Sequence, residues 1–124
     1  MTWQGIVLVV LAALMTVASN LMLRAGVIRA GGFSLGLSTL LTDLLQLASQ
    51  PLFVIGVTFY GIAALIWFRV ISTESLSNSY PVLVGLTFLL VTLGAIVLFR
   101  EPVSLIKILG LVLIFFGIVL ISRS

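Results

Sequence analysis

The chain carries four apolar stretches, each about as long as a helix must be to cross a lipid bilayer. This spacing constrains the fold more than any other feature. A helix that is apolar all round has no face to give to water, so its surroundings are either a large protein core or lipid. At 124 residues the chain permits one domain, with little expected outside the bilayer. Its charge agrees. Only 7% of the residues are charged, against about 25% in an ordinary soluble domain. The six basic and three acidic side chains cannot cover a soluble surface, and 62% hydrophobic content excludes disorder. The fold class expected is all-α integral membrane, with residues 1–124 forming a single four-helix transmembrane domain.

The first span reads from about Trp3 to Ala25. Val17-Ala18-Ser19 loosely fits a signal-peptidase site, but no Lys or Arg precedes the apolar run, so a retained helix is expected. Gly26, Gly31 and Gly32 mark a break. From Phe33 to Gln50, Leu37, Leu40, Leu41, Leu44 and Leu45 recur at helical spacing, with Ser38, Thr42, Asp43, Gln46 and Ser49 on the other arc. This predicts an amphipathic interfacial helix between the first and second spans, or an extension of the second. The second span runs from about Pro51 to Val70, with Pro51 suited to a first turn and Trp67 and Arg69 as interface anchors. A polar link from Ser72 to Ser79 leads to the third span, about Tyr80 to Phe99. Arg100-Glu101-Pro102 makes a tight turn into the fourth, about Ser104 to Ile121. Links this short predict antiparallel neighbours. Arg69 and Arg123 fall on one side of the membrane, and Arg24, Arg29, Arg100 and Lys107 on the other. Setting aside Arg24 and Lys107, which lie within helices, the orientation bias is weak.

The chain has no cysteine and no histidine, which excludes disulfides, thiol nucleophiles, the usual zinc sites and histidine general bases. No metal and no cofactor is expected. The net charge of +3 comes from basic residues scattered singly, so nucleic acid is not expected as a partner. No acid lies mid-span, although a proton-coupled cation exporter needs an embedded carboxylate. Paired carboxylates, a phosphate loop and a Ser/His/Asp set are all missing, so the chain does not read as an enzyme.

Polar groups within spans need a reason. Ser19, Asn20 and Arg24 share the first helix, and Asn20 and Arg24 share a face. Two readings stand for Arg24: contact with an anionic group such as a phosphate, or snorkelling to the headgroups from the helix end. The same pair of readings holds for Lys107, one turn into the fourth helix. Asn20 either packs between helices or lines a cavity. Thr58 and Tyr60 lie mid-span and Tyr80 opens the third span, where hydroxyls either bond back to their helix or line a cavity. Glu74 is expected to be solvated in the link. Glu101 is expected to cap the fourth helix. Gly85 would permit a bend or a close helix contact. Gly110 and Gly117 lie seven apart on nearly one face with Leu113 and Ile114 nearby, a seam suited either to packing within the chain or to a second copy. A dimer is expected, because four helices alone make a poor substrate cavity.

Four short spans, with Gly110-Leu111-x-Leu113-Ile114-x-x-Gly117 in the last, resemble the small multidrug resistance family, the four-helix branch of the drug/metabolite transporter superfamily. The resemblance implies an antiparallel dimer built on that seam. Tyr80 and Gly85 fall where the family has a tyrosine and the first glycine of a bending motif. The family's helix-one glutamate falls at Met15 or Thr16 here, and its helix-three tryptophan at Leu83. Both departures speak against drug-cation/proton antiport.

From Ile71 to Ser122, Ser79-Tyr80-Pro81, Val91-Thr92-Leu93, Glu101-Pro102-Val103-Ser104, Gly110 and Gly117-Ile118-Val119 are similar to subunits of the bacterial flippase for undecaprenyl phosphate-aminoarabinose. Those subunits also lack the helix-one glutamate. The likeness covers nearly half of the chain closely and the rest by pattern. It implies an inner-membrane transporter or flippase subunit for a polyprenyl phosphate-linked sugar, working as a homodimer or with a related subunit. Arg24 and Lys107 would meet the phosphate, and Asn20, Thr58 and Tyr80 would line the sugar path. An exporter of small cations or metabolites, and a non-transporting subunit of a membrane complex, are the alternatives.

Overall fold

The computed structural model describes all residues from Met1 to Ser124. It is all-helical: α1 (Trp3–Arg29), α2 (Leu40–Ala48), α3 (Pro51–Thr73), α4 (Leu76–Leu98) and α5 (Leu105–Arg123). Every helix but α2 is long and apolar enough to cross a membrane. Only 12 of the 124 residues are buried, and none of them is in α5, so the apolar surface is turned outward, as lipid requires.

The helix ends correct several expectations. α1 runs through Gly26 to Arg29 instead of breaking near Ala25. The break comes at Gly31 and Gly32, both with positive φ (92° and 97°), where the Gly32 amide reaches back to the Val27 carbonyl. The amphipathic segment is shorter than Phe33–Gln50. Ser34 and Thr39 donate their hydroxyls to Asp43, which holds residues 34–39 out of the helix until Leu40. α2 is also separate from α3. Gln50 precedes proline and is extended (φ −87°, ψ 121°), while Pro51 occupies the first turn of α3. Leu47 packs inward, whereas Leu41, Leu44 and Leu45 stay exposed, as suits a helix lying at an interface. The expected polar link from Ser72 to Ser79 shrinks to Glu74 and Ser75. Ser72, Thr73 and Ser79 turn their hydroxyls back onto helix carbonyls and so continue the helices on either side.

Packing departs from the simplest antiparallel order. α3 and α4 are joined by only two residues yet barely touch, because α1 packs against both and most extensively against α3. α5 packs chiefly on α4. Small residues allow the α1–α3 approach: a Cβ on Gly26 would lie 2.8 Å from the Phe53 amide nitrogen, and one on Gly56 would lie 3.1 Å from Leu23. Ser19, fully buried, donates to the Gly56 carbonyl at 2.7 Å. It therefore joins α1 to α3 and is not part of the Asn20–Arg24 polar face. Ser19→Ala should cost about 1 kcal/mol, read as a small fall in the thermal midpoint of the detergent-purified protein. Gly85 sits in an unbroken α4, and a Cβ there would lie 2.8 Å from Ile118, so this glycine provides close contact with α5.

The hydrophobic core lies at one end of the bundle. Val9, Val70 and Val82 form it, flanked by Leu8, Trp67, Leu83, Ile118 and Ile121. At that end Glu74 accepts from both the backbone amide and the hydroxyl of Thr2, which ties the α3–α4 turn over the start of α1. Glu74 is thus engaged, where the sequence suggested free solvation. The carboxylate also faces the positive end of α1, a favourable placement.

Candidate functional site

The wedge between α3 and α4 is a groove. Residues Ala12, Thr16, Asn20 and Arg24 are spaced four apart along α1 and so follow one face of it. Over the first three of these lies a cavity of about 610 Å³. Its walls are Tyr60, Ala63 and Trp67 of α3, and Tyr80, Thr87 and Phe88 among others of α4. Trp67 and Tyr80 bridge the gap with ring centroids 5.9 Å apart, tilted by 53°. Thr16 turns its hydroxyl to the Ala12 carbonyl at 2.8 Å. The Thr87 hydroxyl is buried with no hydrogen-bond partner, a group that water or a polar ligand would satisfy.

A second cavity, of about 710 Å³, continues along α4 toward the other end. Asn20, Phe88, Val91 and Thr92 line both, so the two form one groove. In this half the walls carry charge. Arg24 Nη1 lies 3.9 Å from Glu101 Oε2, and the guanidinium sits 5.0 Å over the Phe99 ring. Lys107 lines the same cavity and donates from Nζ to the Pro102 carbonyl at 3.3 Å. Glu101 does not cap α5. That role falls to Ser104, whose hydroxyl accepts from the Lys107 amide at 3.1 Å. The groove therefore has a cationic end and a neutral end lined with aromatic rings and hydroxyls. Neither half carries a carboxylate except Glu101 at the cationic rim.

The structure thus brings Asn20, Arg24, Lys107 and Tyr80 onto one groove. Thr58 is not among them. It is exposed on the outer side of α3 and donates to the Val54 carbonyl at 3.0 Å. Along the α5 seam, Gly110 and Gly117 have open space around them and Leu113 is 72% exposed. Gly110 and Ile114 both line the cationic half of the groove, and Ile114 also packs toward Gly85. The sequence reading missed Thr16, Trp67, Thr87 and Glu101 as groove residues. Thr16 was within reach, since it stands one turn before Asn20 on the face that Arg24 shares. Trp67 was masked by its place near a span end, where tryptophan is common for another reason.

Comparison with known proteins gives a partial likeness. The chain is 40% identical over 67 residues to the probable 4-amino-4-deoxy-L-arabinose-phosphoundecaprenol flippase subunit ArnE of Erwinia tasmaniensis, covering 54% of this chain and 61% of that protein. It is 41% identical over 64 residues to the corresponding probable ArnE of Pseudomonas aeruginosa, covering 52% and 55%. It is also 35% identical over 74 residues to an uncharacterized protein, y4nH, of Sinorhizobium fredii, covering 60% and 63%. In each case the match spans less than two thirds of the relative's length. No family model matches the chain, and no solved structure does. The four membrane-length helices and these relatives together describe a multi-pass membrane protein similar to flippase subunits.

Proposed function

We propose that this chain is a subunit of a transporter that moves a polyprenyl phosphate-linked sugar across the bacterial inner membrane. The observation that carries this reading is the polarity of the groove: Arg24 and Lys107 at one end, Asn20, Tyr60 and Tyr80 toward the other, and no carboxylate between them. Arg24, with Lys107 beside it, meets the phosphate. A guanidinium suits this task because it stays charged and offers a fork of donors. Asn20, Tyr80 and the unpartnered Thr87 hydroxyl line the sugar path. Thr58, on the outer face, takes no part. The substrate's acyl chain stays in lipid and enters between helices, so the site need not be enclosed. The similarity to flippase subunits supports the same class of substrate.

The working unit in this reading is a dimer, with a second copy or a related subunit seated on the exposed α5 seam at Gly110, Leu113 and Gly117. Two antiparallel copies would offer the same groove to each leaflet in turn. A second reading, export of small cations, draws on the Trp67–Tyr80 pair, since aromatic faces attract cations. Proteoliposomes separate the two. The expected result is movement of a fluorescent polyprenyl phosphate-linked sugar from one leaflet to the other, with no uptake of guanidinium or quaternary ammonium ions. Cation uptake without lipid movement would reverse the assignment. Activity only after adding a fixed partner would make the chain an accessory subunit.

A further inference from the structure

We propose that Glu101 is an internal counter-anion, which occupies the cationic end of the groove when substrate is absent and retakes it as substrate leaves. This rests on the reading of Arg24 as the phosphate contact. In the structure Arg24 is already engaged: it lies 3.9 Å from the Glu101 carboxylate and over the Phe99 ring. A phosphate that takes the side of the guanidinium turned to Glu101 displaces a carboxylate, which is likewise anionic and likewise offers two oxygens to the fork. The pair is built to yield. Its side chains are 53% and 34% exposed and the separation is long for a charge-assisted contact, so it holds Arg24 in place without burying it.

The backbone aims Glu101 at this position. Arg100, the residue before it, has φ 52°, a left-handed conformation that costs a side-chain-bearing residue energy. Pro102 follows and restricts Glu101 to extended backbone. With Ser104 capping α5, Glu101 is freed from the helix end and turned into the groove. Binding and release then become an exchange of one anion for another, and the cation is never left unpaired at the membrane boundary. Removing the carboxylate should make substrate bind more tightly and leave more slowly.

Binding of a long-chain polyprenyl monophosphate to the detergent-purified chain tests this, with Glu101→Gln, Glu101→Ala, Arg24→Gln and the Arg24→Gln/Glu101→Gln double variant. Both Glu101 variants should bind about threefold more tightly than wild type, the scale of an exposed ion pair. Glu101→Gln should make no difference in the Arg24→Gln background. In proteoliposomes Glu101→Gln should lower the half-saturating concentration and also lower the turnover rate, a split that simple misfolding does not produce. A parallel arm with inorganic phosphate identifies the displacing anion. A gain confined to the lipid assigns a headgroup, and an equal gain for both assigns any phosphate. If wild type binds in an Arg24-dependent way and neither Glu101 variant binds more tightly, the counter-anion role falls and the phosphate reading stands. If wild type binds neither probe, both fall.

Discussion

Arg24→Ala should reduce translocation of a polyprenyl phosphate-linked sugar to the background of empty proteoliposomes. The guanidinium is the cation placed deepest along the α1 face that runs through Asn20, Thr16 and Ala12. A lost charge-assisted hydrogen bond costs about 1.5–3 kcal/mol, or roughly a tenfold to hundredfold loss for each bond. A phosphate held through two parallel bonds loses both. Arg24→Lys should recover only part of the rate, since an ammonium supplies the charge but not the fork. The fold should survive either change. The Arg24 side chain is half exposed and its ion pair with Glu101 is of the kind worth at most about 1 kcal/mol. The check is transport rate beside elution profile, variant against wild type. Wild-type transport by Arg24→Ala would remove this residue from the mechanism.

The largest effect on stability is expected from Gly26→Leu. A Cβ at this position would meet the Phe53 amide nitrogen at 2.8 Å, its Cβ at 2.9 Å and its Cα at 3.0 Å. Two of those atoms are backbone within α3 and cannot rotate away. Relief requires moving α1 from α3, the most extensive helix pairing in the chain, and carrying the Ser19–Gly56 bond with it. Overpacking of this kind costs about 1–3 kcal/mol when the surroundings can give, and more when they cannot. The variant should lose its monodisperse peak in detergent. Gly110→Ala and Gly117→Ala are the matched controls, because nothing lies within 4 Å of a Cβ at either position. They should leave the single chain folded, so any change in self-association they cause would report on the α5 seam.

The four spans were legible because lipid asks only for length and apolarity, and both are properties of a string of residues. Their ends were less so. Ser72, Thr73 and Ser79 read as a link by composition, yet a hydroxyl bonded to a carbonyl of its own helix can stay in the helix. Gly26 read as a breaker, yet a glycine packed on a neighbouring backbone serves contact rather than a turn. Which helices pair was legible only in part: α5 packs on α4, as their short link implies, but α3 and α4 barely touch. Chain order puts α3 beside α4, but the matching small residues Gly26, Ser19 and Gly56 pair α3 with α1 instead. Of the groove, the Asn20–Arg24 face could be read from spacing. The meeting of Arg24 with Glu101 depends on two segments far apart in sequence and on the unusual backbone at Arg100, which no local pattern announces.

Any tilt of α5 against α4 would pivot at the close approach of Ile118 to Gly85. From Ile118 back to Ser104 is a helical arm of about 21 Å at the usual rise per residue. A tilt of roughly 10° about this pivot swings the far end of that arm by about 4 Å, as much as the separation between Arg24 and Glu101. Lys107 and the Glu101 turn ride on that end, while the valine core beside the pivot hardly moves. One small rigid rotation would therefore remake the charged end of the groove and leave the packed end intact, with mechanical advantage taking the place of a flexible hinge.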